Sequence, residues 1–141
     1  MRGFAAAAVL LVRTAGAARA ADAPAPAPDP AEARYSAAYQ KCLDTPEGQS
    51  TAGMINCSDD ETKLQDAALN TAYRAAMKDL NPRQKAKLLA AQRAWITFRQ
   101  AECASMEDED WGTLSRVIAA GCFLHMTAQR VLDLQNYPPA T

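Results

Sequence analysis

Residues 88–103, LLAAQRAWITFRQAEC, place aromatic, polar and charged side chains at a spacing typical of a helix. With 3.6 residues per turn, one face of this helix has a mixed character. It combines apolar groups with an amide, a guanidinium, a carboxylate and a thiol, from Leu88 or Leu89, Gln92, Trp95 or Ile96, Arg99, and Glu102 or Cys103. An ordinary core helix keeps polar residues off its buried stripe. The face therefore either binds a ligand or belongs to a buried polar cluster.

The first 30 residues are predicted to lie outside the folded domain. Residues 1–20 combine a basic start, an apolar run and a small-x-small site, which is typical of a secretory signal peptide cut after Ala20. Residues 21–30, rich in Pro and Ala, are expected to form an extended tether. The apolar run is too short to span a bilayer, and no other stretch is apolar enough. We expect a periplasmic or secreted protein with no transmembrane segment and one domain, residues 31–137.

The charge balance argues against one class of partner. Removal of residues 1–20 takes away three arginines and leaves 12 basic and 16 acidic residues, a net charge of −4. Nucleic-acid binding needs a basic face for phosphate contacts, so no nucleic-acid partner is expected. A mildly acidic exported protein is better suited to a basic protein partner.

Four cysteines remain after the predicted signal peptide: Cys42, Cys57, Cys103 and Cys122. An even count in an exported domain predicts two disulfides, although the sequence allows three connectivities. The pairs 42–57 and 103–122 are preferred. The first would tie the two ends of a loop, and in the second the acidic turn can absorb the offset between the positions of Cys103 and Cys122 along their helices. No C-x-x-C pair is present and the single histidine, His125, completes no zinc-ligand spacing. No metal and no cofactor are predicted.

The helix signals predict an all-α fold, a small disulfide-stapled helical bundle of one short and three longer helices. Helix 1 is expected to start near Pro30 with Asp29 as its cap, and a loop is expected over residues 44–56. Helix 2 is expected to open with a capping box at residues 58–61. Its predicted buried face consists of small and large apolar residues: Leu64, Ala68, Leu69, Ala72, Tyr73, Ala76, Met77 and Leu80.

Helix 3 is predicted to start at Asn81-Pro82, a cap followed by a first-turn proline, and to run to about Met106. Helix 4 is predicted to be capped by Thr113. Its apolar stripe repeats at a near-ideal helical spacing through Leu114, Val117, Ile118, Gly121, Cys122, His125 and Leu132. A single histidine on such a stripe is usually a satisfied core residue, so we interpret His125 as structural and predict no enzyme.

Six polar residues within helical faces are predicted to meet as a buried network. They are Asp66, Asn70, Gln92, Arg99, Glu102 and Arg130. Guanidinium groups in a helical bundle are usually bonded to internal carboxylates, amides or carbonyls. The network would then set the register of the helices, and the alternative is that it lines a cleft.

An acidic turn follows helix 3 and contains Glu107, Asp108, Glu109, Asp110 and Trp111. A run of charges is most often a solvated surface. However, a tryptophan among carboxylates on a loop also suits contact with a basic protein, because the aromatic ring supplies affinity and the charges increase the association rate. These five residues are the predicted partner-binding site.

The motifs together resemble a known family. They are Tyr39-x-x-Cys42, Asn56-Cys57, Asp66-x-x-Leu69-Asn70-x-x-Tyr73, Leu89-x-Ala91-Gln92-Arg93-Ala94-Trp95-x-x-Phe98-Arg99-x-x-Glu102-Cys103, Cys122 and Thr127-x-x-Arg130-x-Leu132. The series covers about residues 35 to 134 and is similar to the lysozyme inhibitor LprI-like N-terminal domain family of bacterial envelope proteins.

The resemblance implies an exported, helical, disulfide-containing domain. The family takes its name from a lipoprotein that inhibits lysozyme; for this chain we expect neither a lipoprotein anchor nor a second domain. It implies no catalytic residues. The expected function is therefore a binding protein that inhibits lysozyme by occlusion. The alternative is an envelope structural or interaction module with no lysozyme activity.

Overall fold

The computed structural model describes residues 27–137, and every regular element in this part is helical. The elements in chain order are a 3₁₀ helix Glu32–Arg34, α1 Ala37–Leu43, α2 Thr51–Lys78, α3 Pro82–Ala104, a second 3₁₀ helix Glu109–Trp111 and α4 Leu114–Gln135. The prediction of an all-α fold with one short and three longer helices is confirmed. The predicted signal peptide and residues 21–26 of the predicted tether lie outside the described residues. No helix between residues 27 and 137 is both long and apolar enough to cross a membrane.

The first helix starts later than predicted. Asp29 accepts a hydrogen bond from the backbone of Ala31, but only a 3₁₀ turn follows, and the chain is extended at Tyr35 and Ser36. Ser36 is the cap of α1, because its side-chain oxygen accepts a hydrogen bond from the Tyr39 N–H at 3.1 Å.

Helix α2 begins inside the segment predicted to be a loop. Ser50 is its N-cap and accepts a hydrogen bond from the Gly53 N–H at 3.0 Å, so residues 58–61 lie within the helix and are not its start. Gly53 is required at this point, because a Cβ atom there would collide with the carbonyl oxygen of Glu47. The glycine allows the preceding turn to pack directly against the first turn of α2.

The core lies mainly between α2 and α4, which are in contact along much of their lengths, whereas α3 meets α4 at fewer points. Helix α4 buries mostly small or branched residues: Ser115, Ala119, Ala120, Leu124, Thr127, Ala128, Val131 and Leu134. The predicted stripe of α4 is wrong in part, because Leu114 and Ile118 are exposed. Leu64 of α2 is also exposed, whereas Leu69, Ala72 and Leu80 are buried. Small side chains allow two helices to approach closely, and this explains why the buried face of α4 is not its bulkiest one.

The start of α3 is as predicted. Asn81 and Gln84 form a reciprocal capping box, with hydrogen bonds of 3.0 and 2.9 Å, and Pro82 is the first helical residue. The helix buries Leu88, Gln92 and Cys103 and half-buries Trp95 and Arg99, and these residues form one face. Thr113 stands at the cap position of α4, but its side chain makes no capping hydrogen bond.

Both preferred disulfides are present. Cys42 is bonded to Cys57 with a Cα–Cα distance of 5.9 Å, and Cys103 is bonded to Cys122 with a Cα–Cα distance of 5.5 Å. The first ties α1 to α2 across the intervening turn, and the second ties α3 to α4 across the acidic turn.

We expect removal of either bridge to destabilise the domain. Each closes a loop, of 15 and 19 residues by sequence separation, and therefore restricts the unfolded chain. The double variants Cys42→Ser/Cys57→Ser and Cys103→Ser/Cys122→Ser should each lose about 3 kcal/mol of unfolding free energy in urea denaturation followed by circular dichroism. Losses well below about 1 kcal/mol would contradict this role of the bridges.

Candidate functional site

The acidic turn between α3 and α4 has a defined conformation. The side chain of Asp108 accepts a hydrogen bond from the Asp110 N–H at 2.8 Å. The buried hydroxyl of Ser115 donates to the carbonyl oxygens of Asp108 and Gly112, at 3.0 and 2.7 Å. Gly112 has a φ of 72°, a left-handed conformation that side chains disfavour. The backbone of the turn is therefore held in place by the first turn of α4.

The side chains of this turn face the solvent. All four acidic residues are exposed, and 64% of Trp111 is accessible. Glu107 lies 3.5 Å from Arg116 in an exposed ion pair. Within the described residues, no basic side chain pairs with Asp108, Glu109 or Asp110. The five predicted partner-binding residues thus form an acidic surface around a projecting indole.

A row of exposed apolar side chains continues from Trp111 along α4. Leu114 is 58% exposed and Ile118, one turn further on, is 52% exposed. Residues at i and i+4 lie on the same face of a helix, so these two side chains form one apolar strip beginning at the acidic turn. Large apolar residues grouped on a surface are characteristic of interaction sites. We call Trp111, Leu114 and Ile118 the apolar row.

The apolar row leads into a groove of about 600 Å³. Its apolar lining includes Ile118, Met106 and Phe98, and Phe98 is 54% exposed. Tyr35 and Tyr39 line another part of it, with their rings packed edge to face at 5.4 Å. Burial and the nearby carboxylate of Glu32 raise the pKa of Tyr35 to about 12. The groove is therefore mainly apolar, with the tyrosine pair on one side.

Arg99 connects the three long helices. Its Nη1 atom donates to Thr127 of α4 at 2.6 Å and to Asp66 of α2 at 3.2 Å. The guanidinium also lies over the rings of Trp95 and Phe123, at 5.0 and 5.8 Å from their centroids. Cations placed over aromatic faces are attracted by the ring quadrupole. Arg99 therefore holds the middle of α3 against both core helices.

Arg130 makes a second link between α3 and α4. Its Nε atom donates to the buried Gln92 side chain at 3.0 Å, and its guanidinium lies 5.6 Å from the ring centroid of Trp95. Trp95 thus contacts both arginines. Asn70 and Glu102 lie apart from these contacts: the Asn70 amide donates to the Asp66 carbonyl oxygen of its own helix, and Glu102 is exposed beside the apolar groove. Four of the six predicted network residues, Asp66, Gln92, Arg99 and Arg130, take part in contacts between helices.

A second polar cluster was not anticipated from the sequence. Only 1% of Glu61 is exposed, and its carboxylate accepts hydrogen bonds from the backbone and hydroxyl of Ser36, at 3.0 and 2.6 Å, and from Gln65, at 2.8 Å. Gln65 also donates to the Arg34 carbonyl oxygen at 3.0 Å. In the sequence, the only sign of this cluster is the four-residue spacing of Cys57, Glu61, Gln65 and Leu69, which places them on one face of a helix. In the structure all four residues are buried. This cluster joins the N-terminal segment to α2.

His125 is not a core residue, which corrects the interpretation from the sequence. Its side chain is 42% exposed, and its Nε2 atom lies 3.8 Å from Asp29 at the edge of the apolar groove. The rotated register of α4, which buries Leu124 and Ala128, places His125 at the boundary of the buried face.

Comparison with known proteins supports a family assignment. A family model described as lysozyme inhibitor LprI matches residues 30–134. An uncharacterised protein of Rhizobium meliloti is 32% identical over 95 residues, which cover 57% of this chain and 68% of the relative. No solved structure matches significantly. The matched range includes both disulfides, the acidic turn and the contacts of Arg99.

The buried carboxylate of Glu61 is expected to stabilise the fold. In Glu61→Gln an NH₂ group replaces one carboxylate oxygen and would face hydrogen-bond donors of Ser36 and Gln65. The unfolding free energy should therefore fall by about 2 kcal/mol. The neighbouring Asp60→Asn is a matched control, since Asp60 is exposed and bonds only to the exposed Lys63. Urea denaturation of both variants measures the difference, and equal stability would contradict a structural role for Glu61.

Proposed function

Because the chain belongs to the lysozyme inhibitor LprI family, we propose that it is an exported protein that binds lysozyme and occludes its substrate cleft. The main observation in support, which also indicates the residues that would bind, is that Trp111 projects from an acidic turn whose backbone is held by hydrogen bonds. Occlusion needs a rigid surface that covers the cleft, and it needs no catalytic group from the inhibitor.

Export is supported by the two disulfides, because such bonds persist in oxidising compartments such as the periplasm and the cell exterior. It is also supported by the sequence of residues 1–20, with a basic start, an apolar run and a small-x-small site before Ala21. We therefore propose that the mature chain starts near Ala21 and acts in the periplasm or outside the cell, where it could meet a lysozyme.

Charge complementarity favours this partner. C-type lysozymes are basic proteins whose cleft holds the catalytic carboxylates. The proposed mature chain has a net charge of −4, and three carboxylates of its acidic turn, those of Asp108, Glu109 and Asp110, have no basic partner within the described residues. Complementary charges increase the rate of encounter and orient the two proteins. In this arrangement the acidic residues contact the basic surface around the cleft and do not approach the catalytic carboxylates.

The apolar row provides the area that charge alone cannot provide. Hot spots of protein interfaces are typically aromatic side chains surrounded by contacts that exclude water. Trp111 is the most exposed of the large apolar residues of the domain, and Leu114 and Ile118 extend its surface towards the groove. We propose that Trp111 is the anchor, that the apolar row covers the mouth of the cleft, and that Glu107, Asp108, Glu109 and Asp110 form the charged rim.

The alternative function is an envelope interaction module with no lysozyme activity. The observation in its favour is the groove of about 600 Å³. This groove offers an apolar surface that the proposed occlusion of the lysozyme cleft by Trp111 and the acidic turn does not use. A pull-down from envelope extract with wild-type protein and with a Phe98→Ser variant distinguishes the two functions. A captured protein that is not a lysozyme and is lost with Phe98 would favour the alternative.

The anchor role of Trp111 predicts a large effect in a lysozyme turbidity assay. Wild-type protein should inhibit at micromolar excess, and Trp111→Ala should raise the inhibition constant about 30-fold, equivalent to about 2 kcal/mol. Tyr137→Ala is the matched control, because Tyr137 is an exposed aromatic residue beyond the other end of the 22-residue helix α4. Absence of inhibition by the wild type would refute the proposed function, and equal effects of the two variants would refute the assignment of the anchor.

The acidic rim predicts a different kinetic signature. The variant Glu107→Gln/Asp108→Asn/Glu109→Gln/Asp110→Asn should associate with lysozyme about 10-fold more slowly at low salt, with a smaller change in the dissociation rate. The difference from wild type should shrink as salt is added, because exposed charges are screened. Surface plasmon resonance at two ionic strengths measures both rates, and a salt-independent difference would contradict electrostatic steering.

A further inference from the structure

Three potential metal ligands converge where the N-terminal segment meets α4. The side chains of Asp29, Glu32 and His125 offer one ligand atom each, and these atoms all lie within 4.8 Å of one another. Asp29 and Glu32 belong to the turn around the first 3₁₀ helix, and His125 projects from α4. The set therefore joins two separate parts of the chain and is distinct from the acidic turn at residues 107–111.

The orientation of Asp29 is fixed by its own turn. Its Oδ1 atom accepts a hydrogen bond from the Ala31 N–H at 2.8 Å, and its carbonyl oxygen accepts one from the Ala33 N–H at 3.1 Å. Ala31 is completely buried, which anchors the turn in the domain. The other carboxylate oxygen, Oδ2, lies 3.8 Å from the Nε2 atom of His125. A ligand with one oxygen held by the backbone and the other free is arranged as in many metal sites.

The basic residue adjacent in sequence to this set is engaged elsewhere. Arg34 follows Glu32 by two residues, but its guanidinium donates to Gln65 at 3.2 Å and to Gln135 at 3.4 Å. Within the described residues, His125 is the basic group that lies within ion-pair distance of Asp29, and no basic side chain lies within that distance of Glu32. Two carboxylates in this small volume repel each other, and a bound cation would replace the repulsion with attraction.

We propose that Asp29, Glu32 and His125 bind a divalent transition-metal ion, with Zn²⁺ as the best match. One imidazole nitrogen and two carboxylate oxygens are ligands that zinc commonly takes, and water would complete a tetrahedral site. Ligand atoms around such an ion lie about 3.4 Å apart, since each bond is about 2.1 Å long. Glu32 is exposed and His125 is partly exposed, so rotation of these two side chains can close the gap to the fixed Asp29 without movement of the backbone.

The bound ion would act as a clamp on the N-terminal segment. Glu32 and His125 both line the apolar groove, so the ion would sit at the rim of that groove and fix the 3₁₀ turn to α4. This fixes the point at which the Pro- and Ala-rich segment enters the domain. The clamp is independent of lysozyme binding, because its ligands are separate from Trp111 and the acidic rim.

The direct test uses ZnCl₂ and untagged wild-type protein that was first treated with a chelator. His125 is the single histidine of the chain, so its imidazole ¹⁵N resonances need no assignment. Addition of Zn²⁺ should shift these resonances and saturate at one ion per chain, and isothermal titration should give the same stoichiometry. Imidazole resonances that do not shift at about 100 µM Zn²⁺ would overturn the proposal, whether isothermal titration detects no binding or detects binding elsewhere on the protein.

Variants locate the site. His125→Gln and Asp29→Asn should each weaken Zn²⁺ binding at least 10-fold, since each removes a ligand. Asp108→Asn in the acidic turn is the control and should bind Zn²⁺ as the wild type does. Circular dichroism in the presence of the chelator confirms that each variant is folded. Should a variant fail to fold, the resonances of the wild type still decide the outcome. Equal affinity of folded His125→Gln and wild type would overturn the assignment of the ligands.

Discussion

The close packing of α2 against α4 is the constraint on which the rest of the structure depends. Helix α4 buries small residues such as Ala119, Ala120 and Ala128, which allow a close approach. Helix α3 does not share this contact equally, because few of its residues are buried. It is attached instead by discrete links: the Cys103–Cys122 bridge, the Arg99 contacts with Asp66 and Thr127, and the Arg130–Gln92 hydrogen bond. The polar residues of the 88–103 stretch therefore replace the apolar contact area that α3 lacks.

The sequence predicted those parts of the fold that local chemistry determines. The Asn81 cap with Pro82 in the first turn, the helix that follows them and both disulfides are examples. The start of α2 was missed because residues 44–56 contain the Gly, Ser and Thr that mark loops. Only the packing of Gly53 against the Glu47 carbonyl oxygen explains why a glycine belongs in the first turn of a helix. In the same way, Glu61 resembled an N-terminal acid of a helix, and its burial depends on Ser36, a residue far away in the sequence.

The most consequential error concerns the buried face of α4. Hydrophobic periodicity finds a stripe of large apolar residues, but it does not distinguish a stripe that packs in the core from one that faces a partner. In the structure, small residues occupy the core side of α4, and Leu114 and Ile118 lie outside. The apolar row next to the acidic turn was therefore hidden in the sequence as apparent core. Two residues of the predicted polar network, Asn70 and Glu102, were misplaced for a related reason, since residues one turn apart share a face without sharing partners.

The position of the Cys103–Cys122 bridge links the stability of the domain to its proposed function. The bridge closes a segment that contains the whole acidic turn, Trp111 and the apolar row. Within it, Ser115 and Gly112 hold the backbone of the turn, so Trp111 projects from a fixed base although its ring is exposed. Binding to a partner is weakened by the entropy lost when a loop becomes ordered, and a surface that is ordered beforehand avoids much of this cost. A covalently closed and internally hydrogen-bonded turn is thus suited to rigid occlusion, whereas a purely solvated run of acidic residues would need neither constraint.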